Sequence, residues 1–259
     1  MSTQITTELV KELRDSTGIS VMQCRKALEE AGGDMNKALA ILKKTSSDIA
    51  LKKTDREVKD GRISVKIDGK KAVLLSLLCE TDFVAKNEDF VKLLNTLIEK
   101  AWENGVENMK TEAKEMIDQV IQKTGENIQL GEIEEMHGEV LGSYVHNGKI
   151  GVVVSLEGGN SDLAKDIAMH ITAMKPEYIT ENDITEEAKN TMREIFEKEV
   201  VNINKPEDIK KKMLEGKIST YFKEKTLLDQ AFIKDSNETI NSILGKAKAK
   251  IKEVKRYSI

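Results

Sequence analysis

One stretch of this chain occurs twice, and that repetition limits the available folds more than any other feature. Residues 63–77 align without a gap on residues 142–156: Asp68-Gly69-Lys70 falls on Asn147-Gly148-Lys149, and Val73, Leu75, Ser76 and Leu77 fall on Val152, Val154, Ser155 and Leu156. Asp-Gly and Asn-Gly supply the positive backbone angles of two-residue hairpin turns, and strand-like residues flank both, so each copy is expected to be a β-hairpin. A helix follows each copy. Phe90, Leu93, Leu94, Leu97, Ile98 and Ala101 recur at helical spacing after the first. Leu163, Ile167, Ala168, Ile171 and Met174 do so after the second, from about Ser161 until Pro176 stops the helix. Between the copies, residues 111–124 carry Ala113, Met116, Ile117, Val120 and Ile121 as a helix closed by Gly125, and residues 127–136 read as one more strand. The expected fold class is α+β, with a duplicated core of two antiparallel sheets, each with helices on one face.

The flanking regions differ in pattern. Residues 1–53 read as a three-helix module. Leu9, Leu13 and Val10 stripe the first helix, which Thr17 and Gly18 break. Ser20 with Gln23 fits a capping box for the second, carried by Val21, Cys24, Ala27 and Leu28 and ended by Gly32 and Gly33. Asp34 caps the third, with Ala38, Ile41 and Leu42 facing the same small core. Residues 43–59 are charged, with almost no apolar pattern after Leu51, and read as a helix end running into a linker at 54–60. The core subdomains are then expected at 61–141 and, in a first part, at 142–182. Over 183–225, Ala188, Met192, Ile195 and Phe196 make one stripe and Ile209, Met213, Ile218 and Phe222 another, joined near Asn202 to Lys205, with Pro206 starting the second helix. This is a helical hairpin, either a protruding coiled coil or an ordinary hairpin packed on the core. Residues 226–259 are expected to return to the second subdomain, and the lysine-rich end from Lys246 to Arg256 reads as a solvated helix face.

Composition narrows the function. With 33% charged and 4% aromatic residues the cores must be aliphatic, and little aromatic surface is left for stacking bases. A net charge of −4 argues against a general polyanion binder, so no direct nucleic-acid contact is expected. The chain has no apolar stretch of bilayer length and no signal-peptide core in its first thirteen residues, which makes the cytoplasm its expected address. Cys24 and Cys79 lack C-x-x-C spacing and read as packed thiols. No glycine-rich phosphate loop occurs, so the chain is not expected to bind nucleotide itself, and no cofactor is expected. His137, His146 and His170 are too dispersed for a metal triad and read as surface or strand histidines. A Cys79–His146 thiol–imidazole pair is the one conceivable nucleophilic arrangement, without any accompanying oxyanion-hole element.

The segment joining the first repeat to its helix is Thr81-Asp82-Phe83-Val84-Ala85-Lys86-Asn87. Asn87 can accept a backbone N–H at the helix start, and Glu88 and Asp89 suit the positive end of the helix dipole. Phe83 lies outside the helical stripe. On pattern alone, Phe83 and Val84 either anchor the loop on its own core or offer apolar contact to a partner.

T-D-F-V-A-K-N after a strand resembles the signature of the elongation factor Ts family, exchange factors that drive GDP off the GTPase elongation factor Tu, and the likeness runs through most of the chain. L-V-K-E-L-R, T-G and C-R-K-A-L are similar to that family's ubiquitin-associated-like N-terminal module. The resemblance implies that Thr81, Asp82, Phe83 and Val84 form a wedge that dislodges the partner's magnesium, and that Val21, Met22 and Arg25 contact the partner. Where the family usually shows D-C-K-K-A-L, this chain has Gln23 and Arg25 in place of an Asp and a Lys. Gly142-Ser143-Tyr144-x-His146 matches as well, making His146 a further contact; strand alternation sets it against Ile67 of the first copy, an apolar face. The implied role is guanine-nucleotide exchange in translation elongation, by a protein that is not an enzyme, with a coiled-coil hairpin and a C-terminal module that is shortened or absent. The alternative is a ribosome- or RNA-associated adaptor using the lysine-rich end and the hairpin.

Overall fold

The structure is a computed structural model and describes residues 5–259, so the first four residues of the expected N-terminal module lie outside it. Helix α1 (Thr7–Thr17) is opened by the Thr6 hydroxyl, which accepts the Leu9 N–H at 3.3 Å, and closed by Gly18 in the left-handed conformation. Ser20 caps α2 (Val21–Glu30) through the Gln23 N–H, and Asp34 caps α3 (Met35–Leu51) through the Lys37 N–H at 3.0 Å. Val10, Leu13, Cys24, Ala27, Leu28, Ala38 and Leu42 close a small core between them.

The first half of the repeat gives β1 (Asp60–Asp68), β2 (Lys71–Cys79), the single turn α4 (Asp82–Ala85), α5 (Glu88–Asn104), α6 (Val106–Thr124) and β3 (Ile128–His137). The strands form an antiparallel sheet in the order β1-β2-β3. Val73, Leu75 and Leu77 point to one face and pack on Phe90, Leu94, Leu97, Ile98, Ile117 and Ile121 of α5 and α6. The sixth helix begins at Val106, earlier than its apolar pattern suggests, because Met109 is fully buried in the same core.

Residues 43–59 are the end of the third helix and an irregular connection to β1, as the sequence suggests, and both are held against the rest of the chain. The third helix is continuous to Leu51, and its last turns reach the first sheet's core, where Ile49 and Ala50 pack. Ser47 donates a hydrogen bond to Asp118 of α6 at 2.9 Å, and Lys43 pairs with Glu115 at 2.6 Å. The connection that follows is tied down as well, since the buried Asn127 amide donates to the Arg56 carbonyl at 2.7 Å.

The second half gives β4 (Val140–His146), β5 (Ile150–Glu157), α7 (Ser161–Met174), α8 (Glu186–Val201), α9 (Glu207–Lys225), the short pair β6 (Ala231–Phe232) and β7 (Asp235–Thr239), α10 (Ile240–Lys246) and β8 (Lys250–Ser258). Its main sheet has the order β4-β5-β8. From Lys250 onward the lysine-rich end is therefore a strand rather than a solvated helix face: it pairs antiparallel with β5 from Ile150↔Ser258 to Glu157↔Lys250, and Lys255 lies within ion-pair distance of Glu134 and Glu253. Ile63, Ala72, Leu74 and Met136 of the first sheet meet Leu141 and Val153 of the second, so the two sheets face each other and the helices lie outside. Covered on both faces, β5 is apolar almost throughout, unlike an alternating half-exposed strand.

The two copies keep their equivalence in detail. Ser76 and Ser155, aligned in sequence, both sit where the ladder to the third strand slips register. They diverge at the turns. Asp68 pairs with Lys71 as part of the ladder, leaving Gly69 alone with positive φ, whereas Asn147 and Gly148 both take positive φ. Gly142 replaces Ile63 because α7 lies directly on β4 there: a Cβ would stand 2.2 Å from the Lys165 nitrogen. His170 is neither a surface nor a strand residue. It is fully buried on α7, its Nε2 2.9 Å from Gln230 Oε1 and its Nδ1 accepting the Ile233 N–H at 3.3 Å.

Candidate partner-binding site

The segment after β2 folds because Thr81 is an N-cap. Its hydroxyl accepts the Val84 N–H, and the turn it opens separates adjacent side chains to opposite sides. Val84 and Ala85 are buried against the first sheet's core, whereas Phe83 is 81% exposed, more than any other large apolar residue among those described. The core-anchor reading thus holds for Val84 and fails for Phe83. A carboxylate holds the cap in turn: Glu126 accepts the Thr81 N–H at 3.0 Å and its hydroxyl at 2.7 Å. Glu80 accepts the Asn127 N–H at 2.6 Å one step further along. Asn87 caps α5 through the Asp89 N–H, fixing the exit.

Asp82, half-buried on α4, pairs with Lys86 at 2.7 Å, and this hydrogen bond raises the Lys86 ammonium above lysine's ordinary range. Asp60, at the start of β1, shares the field. Burial opposes its charge, but the hydrogen bonds from Lys149 and the Gly61 N–H outweigh that and hold it below the usual carboxylate range. Lys149 also donates to the Gly61 carbonyl at 2.7 Å, and the Ile63 N–H donates to the Gly148 carbonyl at 2.7 Å. The β4–β5 turn is therefore bonded to the beginning of β1, on which α4 packs. His146 precedes that turn, exposed, with its ring 3.3 Å from the Tyr144 hydroxyl and 3.3 Å from the Asn147 amide. Although aligned with the half-buried Ile67, it does not occupy an apolar face.

Cys79 and His146 form no pair. The Cys79 thiol is fully buried, donates to the Thr81 carbonyl at 3.2 Å, and is pushed by burial to a pKa of about 12. It is a packed thiol, not a nucleophile.

The remaining expected contacts lie on a different core. Val21 and Met22 are 49% and 77% exposed on α2, and Arg25 is engaged with Glu29 at 2.8 Å on the same helix. Gly18, before this helix, faces Lys123 of α6, which pairs with Asp89 in the first turn of α5 at 3.2 Å. Sequence reasoning missed Glu126. A glutamate after a C-capping glycine reads as turn chemistry, and nothing local joins it to Thr81, forty-five positions earlier.

An exposed ring on a rigid mount, beside a charged cluster, is apolar surface that a second macromolecule could cover. The comparisons show the family of the chain. The family profile described as Elongation factor TS matches residues 80–259. The elongation factor Ts of Hahella chejuensis is 38% identical over 98% of this chain and 92% of its own length, that of Thioalkalivibrio sulfidiphilus 37% over 98% and 92%, and that of Pseudomonas fluorescens 38% over 99% and 91%. This chain belongs to the elongation factor Ts family, a family of translation elongation factors. No helix among the described residues is long and apolar enough to cross a membrane.

Proposed function

We propose that this chain is a guanine-nucleotide exchange factor that binds the GDP form of elongation factor Tu and promotes GDP release by disturbing the partner's magnesium and phosphate site. The observation that carries the reading is Phe83, an exposed ring on a turn whose neighbours Val84 and Ala85 are locked in the core. In the free protein the ring contributes almost nothing to folding and gains only when a partner covers it. Because its mount is rigid, strain at the contact is passed to the partner. Magnesium demands near-ideal octahedral geometry, so small displacements of its ligands suffice. Asp82 adds negative charge where phosphate and water are organised. No bond is made or broken by this chain, and no nucleotide or cofactor is bound by it.

Each tenfold gain in release rate requires about 1.4 kcal/mol, so a several-thousandfold effect draws on about 5 kcal/mol of partner binding. One side chain rarely supplies that. The reading therefore assigns further contacts to Val21, Met22 and Arg25 on the N-terminal module and to His146 beside the second hairpin, forming one broad interface in solution.

The test is release of labelled GDP from elongation factor Tu. Phe83→Ala is expected to slow release about 10- to 100-fold, the effect of losing an aromatic anchor at an interface, while thermal melting of the free protein stays the same. Normal release by the folded variant would sink the proposal.

A further inference from the structure

Thr81 has more than the usual attachments of an N-cap. Its N–H and its hydroxyl proton both go to one carboxylate, Glu126, at 3.0 and 2.7 Å, and its oxygen still accepts the Val84 N–H. A hydroxyl has one proton and two lone pairs, so donation to Glu126 fixes the rotor and leaves a lone pair aimed at the turn. Glu126 lies just beyond the left-handed Gly125 that closes α6, on a segment tied to the core through Asn127. The support for α4 thus comes from outside α4, across the first subdomain.

We infer that Glu126 is a positioning residue for exchange: through Thr81 it holds α4 in the one orientation that presents Phe83 and Asp82 to the partner. The inference rests on the exchange reading above. A turn of four residues cannot sustain itself, since its intrahelical bonds are too few to offset the cost of nucleation. The carboxylate supplies the missing constraint by gripping both polar groups of the capping residue, and charge-assisted bonds of this kind are the stronger and more directional ones. Glu126 contacts neither nucleotide nor partner in this scheme. Its loss leaves Phe83 present but loosely aimed, so the partner still binds and release per complex slows.

The experiment uses the full chain with elongation factor Tu carrying labelled GDP, and reads the maximal release rate separately from the half-saturating concentration. Glu126→Gln and Thr81→Val are each expected to lower the maximal rate about three- to tenfold with less than a twofold change in half-saturation. Together they should lower it no further than the worse single variant, because both break one link. Thr81→Ser, which restores the hydroxyl, should regain most of what Thr81→Val loses. In the free protein, amide hydrogen exchange at Val84, Ala85 and Lys86 should accelerate in Glu126→Gln while amides of β2 and α5 keep their protection. Unchanged protection at α4, or an unchanged maximal rate, overturns the positioning role; so does a loss confined to half-saturation. If Phe83→Ala slows release and Glu126→Gln does not, only this inference fails. If Phe83→Ala is silent, the exchange reading itself fails. Should Glu126→Gln not fold, the Thr81 pair decides by the same readouts.

Discussion

Phe83 and Val84 are chain neighbours with opposite surroundings, and one capped turn accounts for both. Their separation was not legible in the sequence. The stretch showed only that Phe83 stood outside the helical stripe, because one turn has no period to read. Glu126 was invisible for another reason: its partner is distant in the chain. His170 was misread because a histidine among Ala168, Met169 and Ile171 gives no sign that Gln230 returns from the far side of the hairpin to meet it. Its burial has a measurable consequence. Desolvation depresses its pKa below the ordinary value of 6.5, while the Gln230 hydrogen bond opposes that only in part. The unfolded chain then binds the proton more readily than the folded one, so stability is full above about pH 6.5 and is lost as pH falls through the lowered folded value. Melting temperature should drop by a few degrees on acidification through this window, and His170→Gln should flatten the drop. An equal slope in both proteins would show that other groups govern it.

Among the elements, capped helices were the easiest to read. Ser20, Asp34 and Asn87 each do what their position announces, since capping is a local bargain between one side chain and one N–H. Elements defined by distant partners were harder. The strand β8 alternates too weakly between lysines and Ile251, Val254 and Tyr257 for its sheet to be inferred without β5. The last turns of α3 offered only Ile49, Ala50 and Leu51 in a charged run, yet the first two join the first sheet's core. This changes what truncation should do. A chain lacking residues 1–51 is expected to be about 2–4 kcal/mol less stable than one beginning at residue 35, from lost burial of Ile49 and Ala50 and the broken Ser47–Asp118 bond. Denaturant unfolding of both chains decides it. Equal midpoints would mean that α3 contributes nothing to the core.

At the scale of the molecule, the duplication was fully legible, and the face-to-face meeting of its two sheets was not. The repeat says which residues pair within a hairpin, whereas the contact of Leu74 with the second sheet depends on a symmetry that no single strand records. Function on this scale has to obey linkage. If the chain lowers its partner's affinity for GDP by some factor, GDP must lower the partner's affinity for the chain by that same factor. Titrations run both ways should give one ratio for the wild type, and Asp82→Asn with Phe83→Ala should bring both ratios nearer to one. An undiminished ratio would move the exchange determinant elsewhere, with His146 the next residue to change. The placement of β8 also bears on how the protein is made. Every strand of the first sheet lies within residues 60–137, so a ribosome that has delivered them has delivered a complete sheet. The central strand of the second has to wait, through α7, the hairpin and α10, for Lys250–Ser258. During synthesis the half that carries Phe83 can therefore assemble first, while its twin holds an open apolar edge that invites wrong partners until the last strand arrives.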